Sequence, residues 1–194
     1  SWLCSRSVGD FVDLIGPLGT SFGIPTTNAN AMLIGGGYGS APLFALAESL
    51  KNRGCRVDMV LGASTANKIF APLEGKRTVS SLTLTTDDGT AGIHGQISEA
   101  IPRLIREFGT EVIYSCGPMG MLSAIAKIAK EFDIAHQCSV EESMACGIGV
   151  CMTCVVPIKS EDSIKMVRTC IDGPVMDGSE IIWDRKEVSD AMGL

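Results

Sequence analysis

Positive charge is in short supply. Sixteen Lys and Arg face 22 Asp and Glu over 194 residues, a formal charge of −6. Binding a phosphate backbone needs a basic footprint, so this balance argues against nucleic acid as a partner. Histidine is rarer still. His94 and His136 are the only two, each is isolated, and no catalytic arrangement follows from either; solvated or capping roles are expected. No apolar run reaches the roughly 18 residues of a membrane-spanning helix, so no membrane is expected either. The opening residues, Ser1 to Arg6, lack an initiator Met and lack the basic stretch and apolar core of a signal peptide. They read as the start of a processed chain or a fragment, and the expected location is the cytoplasm. Low-complexity tracts and internal repeats are also missing.

The chain has a core and many cysteines. Hydrophobic residues make up 45% of it, enough to bury an interior, so disorder is not the expected state. Of eight cysteines, Cys4, Cys55 and Cys116 are scattered, and scattered cysteines in a chain with an ample core read as buried thiols. Four others crowd into 25 residues, and a tight cluster without secretory features reads as a metal site.

Apolar periodicity sets the coarse structure. Phe11 to Ile15 reads as a strand closed by the turn Gly16-Pro17-Leu18-Gly19, and Thr26 to Asn30 as a linker. From Ala31 onward short apolar runs alternate with amphipathic stretches. Strands are expected at 32–35, 56–61, 81–85, 112–116 and 134–140, with helices at 41–53, 95–108 and from Pro118 to about Phe132. Pro102 must kink the second helix or move its start. Alternating strands and helices imply an α/β fold with a five-stranded parallel sheet over about 28–140. From Glu141 cysteine, glycine and short β-type runs take over. The expected division is therefore 1–27, a nucleotide-binding unit at 28–140, a small cysteine-rich module at 141–184, and a tail at 185–194.

Cys146-x₄-Cys151-x₂-Cys154, followed by Cys170 after fifteen intervening residues, has the plant-type spacing of a [2Fe–2S] cluster. A four-residue loop must wrap one edge of the cluster with its amides aimed at sulfur. Gly147 and Gly149 permit the positive φ this requires. The competing possibility is a four-cysteine zinc site, which usually pairs two Cys-x₂-Cys turns; only Cys151 and Cys154 are so spaced. Cys138 falls outside the pattern and reads as a buried strand thiol.

Two glycine turns fall at expected strand ends. Gly35-Gly36-Gly37-Tyr38-Gly39-Ser40-Ala41-Pro42 runs from a strand into a helix, where glycines let backbone approach a pyrophosphate and the helix start offers free amides. It is not the usual Gly-x-Gly-x-x-Gly, and a plain tight turn is the alternative. Cys116-Gly117-Pro118-Met119 repeats the arrangement at a later strand end. Asp87 and Asp88 follow the third strand at the same edge, with an ordinary polar turn as their alternative. The turn after the second strand, Gly62-Ala63-Ser64-Thr65, has no Arg for a 2′-phosphate, and Lys68 is the nearest base.

These pieces together resemble the ferredoxin–NADP reductase superfamily. Residues 35–42 look like its glycine motif, and Cys116-Gly117-Pro118 like its nicotinamide-side motif. Followed by Glu142 to Cys151 and by Arg168-Thr169-Cys170-Ile171-Asp172-Gly173-Pro174-Val175, they are similar to the electron-transfer subunits of class B dihydroorotate dehydrogenase. The resemblance implies an iron–sulfur flavoprotein with a [2Fe–2S] cluster, FAD and NAD, joined in a hetero-oligomer to a catalytic flavoprotein subunit and serving pyrimidine biosynthesis. It implies NAD lying across Gly35–Ser40 and reaching Cys116 to Pro118, with Ser64, Asp87 and Asp88 nearby, and no side chain acting as acid, base or nucleophile. The superfamily's flavin-binding Arg-x-Tyr-Ser motif does not occur here. Residues 1–27 are therefore expected to be a remnant of the flavin barrel and a linker, and the 194-residue chain to bind FAD weakly or not at all. Alternatives are a reductase subunit of another NAD(P)H-linked ferredoxin- or hydrogenase-type complex, or a non-redox, metal-stabilised interaction module.

Overall fold

A computed structural model describes residues 2–160, 163–184, 186 and 188. Most of the tail placed at 185–194 lies outside the described residues. The chain forms β1 (Asn30–Gly36), α1 (Ala41–Asn52), β2 (Arg56–Ala63), α2 (Pro72–Thr78), β3 (Ser81–Thr86), β4 (Ile93–His94), α3 (Ile97–Phe108), β5 (Val112–Cys116), α4 (Met119–Glu131), β6 (Ala135–Ser139), β7 (Val155–Ser160), β8 (Ser163–Arg168) and β9 (Val175–Asp177). Among the described residues no helix is long and apolar enough to cross a membrane.

The main sheet has seven strands rather than the expected five, in the order β4-β3-β2-β1-β5-β6-β9. Both additional strands are edge strands of two and three residues, too short for periodicity to register. All pairings are parallel except β9, which runs antiparallel to β6 and comes from the cysteine-rich segment. The separate hairpin β7–β8 carries that segment's own short sheet. One expected strand does not form. Phe11 to Ile15 makes no ladder, and Phe11 is 97% exposed.

Alternation along β1 sends Leu33 to one face and Met32 and Ile34 to the other. Leu33 packs with Leu43, Leu46 and Leu50 of α1, and Met32 and Ile34 with Ile101, Leu104 and Ile125 of α3 and α4. Burial of each such side chain contributes about 1.5–3 kcal/mol. Pro102 stays inside α3, and the helix starts at Ile97, two residues later than expected. A third cluster, Leu122, Cys138, Val140 and Ile181, joins α4 and β6 to the segment that follows β9. Cys138 is the buried thiol expected, and desolvation pushes it up to about 12.

His136 departs from expectation. It is 4% exposed, its Nε2 lies 2.7 Å from Ser115 Oγ, and its backbone carbonyl accepts the amide of Gly178. His94 is exposed on β4, as expected.

Candidate functional site

β1 lies between β2 and β5. The connections leave β1 toward β2 on one side, and the chain later returns to its other side as β5. An open α/β sheet forms its ligand crevice at such a reversal, beyond the carboxyl ends of the strands. The two glycine turns meet there, because Gly35 and Cys116 are register partners. A Cβ on Gly39 would stand 2.7 Å from Gly117 Cα and 2.8 Å from the Cys116 carbonyl oxygen, and one on Gly36 would stand 2.9 Å from Pro118 Cδ. Only glycine allows the turns to touch backbone to backbone. Gly37, at φ +56°, has open space where a Cβ would be.

Beyond these turns lies a cleft of about 990 Å³. Gly36, Gly37 and Gly39 form one wall and Gly117 and Pro118 another, while Ser64 and Asp87 enter from the ends of β2 and β3. The N-terminal turns of α3 and α4 also open into it through Gln96, Ser98, Gly120 and Met121. Their free amides and dipoles suit an anionic group. Lys68 and Glu141 complete the charged lining.

Of the residues expected here, Gly36, Gly37, Gly39, Ser64, Asp87, Gly117 and Pro118 line the cleft. Gly35 is within β1 against Ser40, which is 1% exposed with an unpartnered Oγ. Pro42 opens α1 on its exposed side. Asp88 turns to Thr90, whose backbone N–H and hydroxyl donate to it and lower its pKa. The Cys116 thiol is pushed up by burial, and Met119 packs against the core around Leu122. Gln96, Ser98 and Met121 escaped the sequence reading. Their signal was available: α3 and α4 each begin at the edge where the glycine turns sit.

The cysteine segment presents a second site. Gly147 (φ +71°) and Gly149 (φ +81°) adopt the left-handed conformations that the loop spacing calls for. The four thiols sort into two pairs, Cys146 with Cys151 and Cys154 with Cys170, each within hydrogen-bonding reach, and Cys170 also feels the charge of Cys146. Amides of Cys151, Ile148 and Val150 favour the Cys146 thiolate, drawing its pKa down to about 6, and the amide of Cys170 lowers that of Cys154. Arg168 ties the two halves together. Its Nη1 donates to the Gly149 carbonyl at 2.9 Å, and its backbone N–H donates to Asp172 at 2.9 Å. Among the described residues no three His, Cys, Asp or Glu side chains converge as a single-ion site. The two thiol pairs, with backbone amides serving Cys146 and Cys154, are the residues that could hold an iron–sulfur cluster. Cys154 and Cys170 are buried, whereas Cys151 is exposed and flanked by Ile148, Val150 and Met152, which are 45%, 74% and 50% exposed.

The dinucleotide cleft draws none of its lining residues from 2–27. What residues 20–23 do is strap the two sites together. The Thr20 amide donates to the Gly173 carbonyl, and the Gly23 carbonyl accepts from Tyr114 Oη and Gln137 Nε2.

Known proteins match at both sites. The iron-sulfur cluster binding domain of dihydroorotate dehydrogenase B matches residues 141–182. A "Dihydroorotate dehydrogenase B (NAD(+)), electron transfer subunit" from Desulforamulus reducens is 33% identical over 182 residues, covering 94% of this chain and 70% of the relative. Its counterpart from Listeria monocytogenes is 39% identical over 177 residues, covering 90% and 67%. Among solved structures, a chain of an NADH-dependent reduced ferredoxin-NADP oxidoreductase superposes with a TM-score of 0.78 at 32% identity, over 97% of this chain and 67% of that one.

Proposed function

The chain belongs to the electron-transfer subunits of dihydroorotate dehydrogenase B, and on that premise we propose which of its residues hold each redox group. As a member of that family it is an oxidoreductase subunit relaying electrons through an iron–sulfur cluster, FAD and NAD, in partnership with a catalytic dihydroorotate dehydrogenase subunit. The nicotinamide and flavin supply two-electron chemistry and the cluster one-electron chemistry; the protein binds, orients and tunes them.

Cys146 and Cys151 hold one iron of a [2Fe–2S] cluster, and Cys154 and Cys170 hold the other. The observation that carries this is the two-by-two sorting of the thiols, each pair served by backbone amides. Those amides offset the negative charge that reduction adds. Gly36 to Gly39 take the dinucleotide pyrophosphate, and Gly117 and Pro118 take the nicotinamide end. Ser64 and Asp87 face the adenosine ribose, where Asp87 favours NAD(H) over a 2′-phosphorylated dinucleotide; Lys68 is the one base beside them. FAD is implied by the family, and no residue of this chain is assigned to it. Functionally the chain divides into a nucleotide unit at 28–140 and a cluster module at 141–184. The exposed apolar collar of Ile148, Val150 and Met152 is the face through which electrons pass to the catalytic subunit in a hetero-oligomer.

The test is anaerobic purification with iron and sulfide analysis. About two irons and two sulfides per chain, with a red-brown colour, are expected. Cys151→Ser should bleach the protein and Cys138→Ser should leave it coloured. A colourless protein carrying one zinc overturns the assignment.

A further inference from the structure

Helix α4 serves two clefts. Gly120, Met121 and Ala124 face the large one, while Ser123, Lys127 and Lys130, spaced four and three residues apart, form a neighbouring stripe. That stripe looks into a second cleft of about 410 Å³, closed on its far side by Lys159 of β7 and by residues 178–184.

The far wall is rigid. The Lys159 amide donates to the Glu180 carbonyl at 2.7 Å and the Ile182 amide to the Pro157 carbonyl at 3.0 Å, while Ile158 and Ile181 form an antiparallel bridge. Trp183 belongs to this wall. Its Nε1 donates to the Gly178 carbonyl at 3.0 Å, which holds the half-buried indole in one orientation.

Charge concentrates here against the trend of the molecule. Three lysines face one carboxylate, Asp184, in a chain whose formal charge is −6. Among the described residues the ion pairs are made by Arg6, Arg56 and Arg168, and the ammonium groups of Lys127, Lys130 and Lys159 have neither an ion pair nor a hydrogen bond. Glu180 lies in the wall between Asp177 and Asp184 without an ion pair among the described residues, and Asp177 is occupied by the amide and hydroxyl of Ser179. Three uncompensated ammonium groups converging on a concave space attract a multiply charged anion, and a pinned indole at its side offers a stacking face.

We infer that this cleft, between α4 and the wall formed by Lys159 and Trp183, binds an aromatic organic phosphate of mononucleotide size. The lysines take the phosphate and the indole takes the ring. The site is distinct from the dinucleotide cleft and goes beyond the function proposed above. Because α4 lines both clefts, a ligand here touches the helix that carries the nicotinamide-side turn and the segment that follows β9.

The test uses the cluster-loaded chain with Trp2→Phe, which leaves Trp183 as the only indole. Cytidine 5′-monophosphate is the probe, chosen because it lacks the adenine of the dinucleotide. Trp183 fluorescence should change saturably with the monophosphate. Cytidine without phosphate should bind at least tenfold more weakly, and inorganic phosphate should compete. Lys127→Gln with Lys130→Gln, and separately Lys159→Gln, should each weaken the monophosphate at least tenfold, about 1.4 kcal/mol, while leaving NADH affinity unchanged. Three results would each overturn the inference: a non-saturating response, binding that survives both lysine variants, or displacement of the probe by NADH.

Discussion

Gly39 sits where two turns touch, and a Cβ there would press on Gly117 and on the Cys116 carbonyl. Overpacking of that kind costs about 1–3 kcal/mol and would be relieved by parting the turns. Gly39→Val should therefore weaken NADH at least tenfold in a binding titration while iron content and visible spectrum stay normal. In the same titration the unmodified chain should hold NADH more tightly than NADPH. His136 makes a different kind of prediction. Burial lowers its pKa from 6.5 to about 4, and Asp177 opposes the shift only in part. The unfolded chain then takes up the proton first as pH falls. The stabilisation is complete above about pH 6.5 and is lost as pH drops toward 4. At pH 5 about 2 kcal/mol should be gone relative to pH 7.5. His136→Gln, which keeps a partner for Ser115, should flatten that part of the pH dependence in denaturant titrations at the two pH values. An equal drop in both proteins would show that the ring is not held neutral.

At the scale of elements, β9 is the joint of the molecule. It adds antiparallel to β6, the Val140 amide donates to the Pro174 carbonyl at 2.9 Å, and Thr20 reaches Val175 through its hydroxyl. Gly178 ends this strand with no room for a side chain, since a Cβ would run into His136 Nδ1. Gly178→Ala should cost about 1–3 kcal/mol in chemical denaturation. Because Cys170 lies on the turn leading into β9, the same variant should lose its visible absorbance faster in the presence of an iron chelator. Unchanged bleaching would separate the strand from cluster retention. The long elements were legible in the sequence: α1, α3 and α4 show 3.6-residue periodicity, and β1, β2 and β5 are apolar runs. The short edge strands β4 and β9 were not, because two or three residues carry no period and their pairing is decided by distant neighbours.

Across the whole molecule, an apolar segment stands apart from the core. Val8, Phe11, Leu14 and Ile15 are between 75% and 109% exposed relative to a reference chain. Large apolar side chains exposed together on one segment favour association. The 194-residue chain should self-associate in sedimentation experiments, and Phe11→Ser with Leu14→Ser should shift it toward monomer without loss of cluster colour. The sequence by itself determined the chemistry that depends on covalent spacing and on backbone freedom. The four-cysteine interval, the left-handed glycines at 147 and 149 and the glycine turns at strand ends are local properties, and local properties can be read along a line. Only the tertiary structure decided which thiols face each other, that His136 is buried against Ser115, that the sheet has seven strands, and that Lys127, Lys130 and Lys159 meet around Trp183. Cys154 with Cys170, His136 with Ser115, and Lys159 with the α4 lysines are groups far apart in the chain, and their meeting is fixed by packing and strand register, which no single segment contains.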